Sequence, residues 1–182
     1  VTTVYGLDEN NEYTVIVRQM LCSTGTKAAP SDVGEWVLTG RTARWCDFPK
    51  WGGHAQFWTK INDSIAFHSV IYNSYDTMDL STKSYKNLGT RASHGCIRLT
   101  VADAKWIYDN CEAGTIITVF EGAYDPEYTM TLRRSLNSET QRERSRPAPT
   151  PAPIYSRENW PKEYRTLYRG RSGEDVFMLQ MR

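Results

Sequence analysis

Short stretches of apolar and β-branched residues recur through the first 120 positions, a pattern typical of β-strands with one buried face. Residues 13–21 (YTVIVRQML) are the clearest case. The polar residues 8–11 before them have the composition of a turn, so we expect residues 1–5 to form the partner strand. Loops are predicted at 23–25 and 30–34, and a tight turn at 62–63. The remaining strands are predicted at 35–39, 56–61, 65–72 and 115–120.

One segment has helical rather than strand periodicity. In residues 101–111 (VADAKWIYDNC), apolar side chains recur at the spacing of one helix face. Thr100 is a suitable N-cap, with Asp103 three residues later, and Gly114 suits the end of the helix. The pattern therefore predicts a mainly β domain with one main α-helix near its end.

The character of the chain changes after about residue 125. Residues 132–146 are polar and charged, and 146–153 (RPAPTPAP) alternate proline with small residues, which predicts a stiff, extended linker. Apolar residues return after residue 164, but so short a piece cannot bury a core alone. We therefore predict a domain at 1–124, a polar and Pro-rich linker at 125–153, and the truncated start of a second module at 154–182.

Composition narrows the function classes. The chain has 182 residues, 40% apolar and 24% charged, which suits one well-packed domain with extra chain. The net charge of +1 predicts no nucleic-acid partner, although residues 133–182 carry 11 basic and only 6 acidic residues. We interpret that basic segment as solvated, with contact to anionic wall polymers or nucleic acid as the alternative.

No apolar run is long enough to span a membrane, and no signal peptide is recognisable. Because the sequence opens at Val1 in strand-like sequence, we expect a trimmed or mature form. We therefore draw no conclusion about export from the missing signal.

Candidate chemistry centres on Cys96. A thiolate is the nucleophilic form, and a free cysteine with a pKa of about 8.5 needs a base or a positive field to react at neutral pH. The sequence has only three histidines: His94 stands two residues before Cys96, and His68 lies in a predicted strand. Gly95 permits close backbone approach to a substrate, and the amides of residues 94–96 suit an oxyanion hole.

Other roles for the cysteines and histidines have less support in the sequence. A zinc site would need further paired ligands, and the remaining Cys and His residues are scattered singly, so no metal is predicted. His54 follows two glycines in a loop and is expected to face solvent. With Cys96 free, at most one disulfide can form among Cys22, Cys46 and Cys111, and three reduced thiols are an equal alternative.

Residues 88–99, LGTRASHGCIRL, resemble the signature of the L,D-transpeptidases of bacterial cell walls. The string Phe67-His68-Ser69 is similar to the family's catalytic histidine segment, and the resemblance extends over roughly residues 4–121. It implies a β-sandwich-like catalytic domain. Near the C-terminus, Leu167, Gly170, Gly173 and residues 175–180 resemble the opening of a peptidoglycan-binding repeat.

The resemblance implies a role for each matching residue. Cys96 would be the nucleophile, His68 its base and later acid, and the Ser69 carbonyl would hold the other ring nitrogen. His94 and Gly95 would shape the oxyanion pocket. The residues expected to contact substrate are Arg98, which would position the donor peptide, and Ser93, Tyr72 and Trp58.

One departure from the family's shorter members is the 28-residue step from His68 to Cys96. The extra residues at 75–88 are expected to form a lid or wall of the cleft. This leaves the predicted chemistry intact and the substrate preference open.

The implied function is a periplasmic or extracellular, cell-wall-associated enzyme without a cofactor, monomeric by default. It would form a thioester with a peptidoglycan stem tetrapeptide and transfer the acyl group to an amine, making 3→3 cross-links in wall biogenesis and cell shape, and would be a target of carbapenems. Hydrolysis of the same thioester, as in an L,D-carboxypeptidase, remains open. A non-catalytic wall-binding module is disfavoured by the intact Cys96, His68 and Arg98. A papain-like peptidase is disfavoured because the base precedes the nucleophile.

Overall fold

A computed structural model of the protein describes residues 1–122 and 125–145, with side chains to residue 136 in the last helix. Residues Val1–Gln141 form one compact unit. In the described ranges the strands are β1 Thr2–Leu7, β2 Tyr13–Met20, β3 Thr24–Gly25, β4 Gly34–Val37, β5 Thr42–Asp47, β6 His54–Lys60, β7 Ala66–Ser69, β8 Arg91–Ser93, β9 Ile97–Leu99 and β10 Ile116–Val119. The helices are α1 Thr82–Lys86, α2 Val101–Asn110 and α3 Pro126–Ser145.

The predicted N-terminal hairpin is confirmed. β1 and β2 pair antiparallel, with Thr2 opposite Met20 and Leu7 opposite Tyr13. The turn is held by the Asp8 carboxylate, which accepts the backbone N–H groups of Asn10 and Glu12 at 2.8 and 2.9 Å. Local side-chain acceptors of this kind are the reason that Asp initiates turns.

A four-stranded sheet in the order β5-β6-β7-β9 carries most of the core. β5, β6 and β7 are antiparallel neighbours, whereas β7 and β9 run parallel. β4 pairs with β10, and β3 pairs in parallel with β8. The mainly β prediction is therefore confirmed, and the parallel pair brings the segments around residues 68 and 96 side by side.

The predicted helix is also confirmed as α2, which packs Ala104 and Ile107 into the core. Thr100 caps it by accepting the N–H of Asp103 at 3.0 Å. The Asp103 carboxylate in turn accepts two bonds from Arg18 of β2, at 2.7 and 3.0 Å, which tie the hairpin to the helix.

Two helices were not predicted. α1 lies within the segment expected as a lid or wall, and its Ser84 hydroxyl accepts the backbone N–H of Ile71 at 2.9 Å. α3 occupies Pro126–Ser145, where the sequence composition predicted an extended linker, so that prediction is wrong for this part. Its Leu132 and Leu136 pack against a buried cluster of Leu21, Val70 and Leu88. The Pro-rich segment and the module expected at 154–182 lie outside the described residues.

Candidate active site

The parallel pairing of β7 with β9 assembles the site. Phe67 is opposite Ile97 and His68 is opposite Arg98. Cys96 directly precedes β9, so it lies at the same end of the pair as Ala66, the first residue of β7. Sequence positions 68 and 96 are thus brought together by strand pairing, as the family resemblance implied for a histidine on a neighbouring strand.

His68 is buried, with 1% of its surface exposed. Its Nδ1 lies 2.6 Å from the backbone carbonyl oxygen of Ser69. Because a carbonyl oxygen only accepts, Nδ1 carries the proton, which leaves Nε2 with a free lone pair. Burial lowers the pKa of His68 to about 4, the Ser69 carbonyl opposes this shift, and Arg98 adds to it. At neutral pH the ring is therefore an uncharged base.

The Ser69 side chain supports this arrangement from within the sheet. Its hydroxyl accepts the backbone N–H of Gln56 at 2.9 Å and donates to the Val70 carbonyl at 2.7 Å. Ser69 is completely buried. The contact from His68 to the Ser69 carbonyl that the resemblance implied is present, and it rests on a backbone that the neighbouring strands hold in place.

Cys96 is half-buried, and burial raises the pKa of its thiol. The backbone N–H of Ala66 and the charge of Arg98 oppose that shift. A raised thiol pKa and a lowered imidazole pKa indicate that both groups are uncharged at rest. A thiol in this state would need a general base to react as a nucleophile.

Hydrogen bonds from two serine side chains hold the loop before Cys96 in place. The Ser93 hydroxyl donates to the Cys96 carbonyl at 2.5 Å and accepts the Gly95 N–H at 3.2 Å. Ser31 donates to the Gly95 carbonyl at 2.5 Å. Gly95 has φ of +124°, a conformation that favours glycine. Ser93 is 1% exposed and both of these bonds lie within the loop, so in this structure its hydroxyl stabilises the loop instead of facing a substrate.

The side chain of His94 is exposed. Its ring stacks on Trp51 with centroids 3.7 Å apart and planes 9° apart. Phe48, from the same loop between β5 and β6, lies 4.9 Å from the His68 ring, measured between centroids. The loop at 48–53 therefore contacts both histidines. It could not be predicted from the sequence, because no local pattern relates it to Cys96.

Arg98 is half-buried. Its Nη1 donates to the Ala92 carbonyl at 2.9 Å, and its Nε is buried without a hydrogen-bond partner among the described residues. Burial lowers the pKa of this guanidinium, whereas Cys96 raises it. The structure thus places Arg98 near Cys96, but part of its guanidinium is bonded to the protein.

An open cavity of about 240 Å³ lies beside Cys96. Trp58 lines it, together with residues from the strand ends and the turn between β6 and β7: Arg41, Lys60, Asn62, Asp63, Ser64, Ile65 and Ala66. Tyr72 does not line it. That ring is 2% exposed and packs edge-on against Trp45, with centroids 5.3 Å apart. The expectation that Tyr72 contacts substrate remains a prediction that the resting structure does not favour.

The other thiols and histidine have separate settings. All four cysteines are free, and burial raises the pKa of Cys46 to about 12, with the charge of Cys96 contributing. His54 was expected to face solvent but is partly buried, and its Nδ1 lies 2.7 Å from the Asp47 carboxylate.

Within the described residues, no group of three or more metal-binding side chains is assembled. No helix in the same ranges is long and apolar enough to cross a membrane.

Comparison with known proteins identifies the family of the chain. The family described as YkuD, L,D-transpeptidase catalytic domain, matches residues 2–119. A putative L,D-transpeptidase of Bacillus subtilis, YciB, is 34% identical over 112 residues, which are 60% of this chain and 56% of that protein. The chain thus spans little more than half the length of this relative.

Solved structures of similar proteins include two bacterial L,D-transpeptidases. The one from Mycobacterium smegmatis has 20% identity and a TM-score of 0.48, over 59% of this chain and 50% of that chain. The one from Stackebrandtia nassauensis has 17% identity and a TM-score of 0.47, over 66% of this chain and 51% of that chain.

Proposed function

The chain belongs to the L,D-transpeptidase catalytic domain family, and from this premise we propose that it forms 3→3 peptidoglycan cross-links through a thioester on Cys96. The observation that supports the proposal most is the setting of His68. A buried, uncharged imidazole has its Nδ1 fixed by the Ser69 carbonyl, on the strand that pairs with the strand following Cys96. Such a group is suited to remove a proton from a thiol and to return it later.

In the first half-reaction, the Cys96 sulfur attacks the carbonyl carbon that links the third stem residue to the terminal D-amino acid. The S–C bond forms as His68 Nε2 takes the thiol proton, and the carbonyl oxygen becomes an oxyanion. When the tetrahedral intermediate collapses, the C–N bond breaks. The protonated His68 gives its proton to the departing amine, and the terminal D-amino acid leaves.

The oxyanion is assigned to the backbone amides of residues 94–96. In the resting structure the Gly95 N–H is bonded to the Ser93 hydroxyl at 3.2 Å, a long contact. The Cys96 amide follows directly in the same loop. Backbone amides that are held in place before the reaction stabilise developing charge, and the hydrogen bonds from Ser31 and Ser93 hold this loop in place.

In the second half-reaction, an amine on the third residue of a neighbouring stem attacks the thioester. His68 takes a proton from that amine and returns it to the Cys96 sulfur, which regenerates the thiol. If water attacks instead, the same steps yield a shortened stem, and the protein is an L,D-carboxypeptidase. Both reactions use only groups of the chain and substrate, so the proposal needs no metal or organic cofactor.

The same proposal places the protein at the cell wall, outside the cytoplasmic membrane, because its substrate is there. Peptidoglycan stem peptides are its proposed partners, as tetrapeptide donor and amine acceptor, and a monomer suffices. The proposed wall-binding module at 154–182 would increase the local concentration of these peptides around the catalytic domain. A carbapenem would acylate Cys96 in place of the donor.

Incubation with a disaccharide-tetrapeptide, followed by mass spectrometry of the products, tests the proposal. Transpeptidation yields a cross-linked dimer with release of one D-amino acid. Hydrolysis yields a disaccharide-tripeptide alone and would support the carboxypeptidase. Cys96→Ala should yield neither product, and products from that variant would contradict the proposal.

A further inference from the structure

The cavity beside Cys96 contains a row of residues that crosses the sheet. The Lys60 backbone N–H donates to the Arg41 carbonyl at 3.0 Å, and Lys60 is opposite Ala66 in the pairing of β6 with β7. The Ala66 N–H in turn lowers the pKa of Cys96. All four residues line the same cavity. The nucleophile and two cationic side chains therefore border one continuous space.

The charges in this space are unevenly matched. Lys60 Nζ lies 2.6 Å from the Asp63 carboxylate, whose side chain is 98% exposed. Lys60 and, more weakly, Arg41 lower the pKa of Asp63. Among the residues that line the cavity, two cationic side chains thus stand against one carboxylate, so the lining carries one more positive than negative charge. The Asp32 carboxylate, which does not line the cavity, accepts a hydrogen bond from Asn62 of the lining at 3.0 Å.

Arg98 is a poorer candidate for binding a ligand carboxylate. Part of its guanidinium is committed to the Ala92 carbonyl, and its side chain does not line the cavity. Arg41 is exposed and does line it. A guanidinium that is open to a cavity can offer its planar fork to an incoming carboxylate, which a partly buried and bonded one does less well.

We propose that Arg41, with Lys60, binds the C-terminal carboxylate of a donor peptide that ends one residue after the attacked carbonyl. The inference rests on the proposed function. One extended residue spans at most about 3.6 Å, so the terminal carboxylate of such a donor stays in the space that Cys96 borders. Arg41 and Lys60 are thus specificity-determining residues of the first half-reaction.

The test compares two donors that form the same thioester: a tetrapeptide with a free C-terminal carboxylate and one with a C-terminal amide. Thioester formation is followed by intact-protein mass, without acceptor. The native protein should acylate faster with the free acid. Arg41→Gln should lower kcat/KM for the acid by about tenfold, through KM, and leave the amide donor nearly unchanged.

Asp63→Asn supplies a change of opposite sign. Removal of the competing carboxylate should raise kcat/KM for the acid donor by about two- to threefold and leave the amide donor unchanged. Lys105→Gln, on the exposed surface of α2, removes one positive charge that does not line the cavity and is the matched control. Thermal melting verifies that each variant is folded.

The outcomes separate the two proposals. An equal loss on both donors in Arg41→Gln would overturn carboxylate binding, and so would an unchanged rate of thioester formation with the free-acid donor. In both cases acylation of the native protein would leave the proposed function standing. If the native protein forms no thioester with either donor, the proposed function fails together with the inference.

Discussion

His68 and His94 are the same residue type within one site, yet their surroundings differ in almost every respect. His68 is 1% exposed on a central strand, with Nδ1 fixed by a backbone carbonyl and a pKa lowered by burial to about 4. His94 is exposed on a loop, and its contact is a stack with Trp51. The difference supports the proposal that His68, rather than His94, transfers the proton. A base needs a fixed tautomer and a free lone pair, whereas a stacked ring on a loop holds that loop.

Replacement of the two histidines should separate these roles by the largest margin. His68→Gln removes the proposed general base, and we expect the acylation rate to fall by about 10²- to 10⁴-fold. His94→Gln keeps the loop backbone and should cost no more than about tenfold. Time courses of thioester formation with one donor measure both variants. Equal losses would contradict the assignment of His68 as base.

A second contrast is the dependence of stability on pH. The pKa of His68 is lowered from 6.5 to about 4, so the unfolded chain binds more protons than the folded one between these values. Above about pH 6.5 the ring is uncharged in both the folded and the unfolded chain, so the lowered pKa has no effect on stability. The free energy of unfolding decreases as the pH falls from there towards 4. A shift of this size corresponds to about 3 kcal/mol.

Urea unfolding at pH 7 and pH 4.5 measures this effect. The native protein should lose more stability over that interval than His68→Gln does, because glutamine does not titrate. His94→Gln keeps the buried ring, so its loss should match that of the native protein. A native protein and a His68→Gln variant with the same pH dependence would contradict the lowered pKa.

Much of the site could be predicted from the sequence because its chemistry is concentrated in short strings. Ser93-His94-Gly95-Cys96 and Phe67-His68-Ser69 are local motifs, and the α2 helix has its own periodicity and cap. Strands as short as β3, β8 and β9 have no such signal, because two or three residues define no period and their pairing partners are distant in sequence.

The sequence of α3 has the periodicity and the N-cap of a helix, although its high charge is typical of a linker. Thr129, Leu132 and Leu136 lie at i, i+3 and i+7, and they form the buried or partly buried side of this helix. Asp125 accepts the Tyr128 N–H at 2.9 Å just before Pro126, the arrangement of an N-cap followed by proline at the first helical position. High charge favoured a linker, but periodicity and capping favoured a helix.

Arg41, Phe48 and Trp51 had no signal of this kind. They meet the site only because β5, β6 and the loop between them fold across it, and a single sequence does not contain that information. Arg98, in contrast, was predicted to position the donor peptide because it lies only two residues after Cys96. In the structure, part of its guanidinium is already bonded to the Ala92 carbonyl.

The most direct measurement of the central claim is the mass and position of the adduct after brief incubation with a tetrapeptide donor. The native protein should gain the mass of the donor minus its terminal amino acid, and peptide mapping should place the adduct on Cys96. Cys46, whose pKa is raised to about 12, should stay unmodified. No mass increase, or an adduct that persists in Cys96→Ala, would contradict the account.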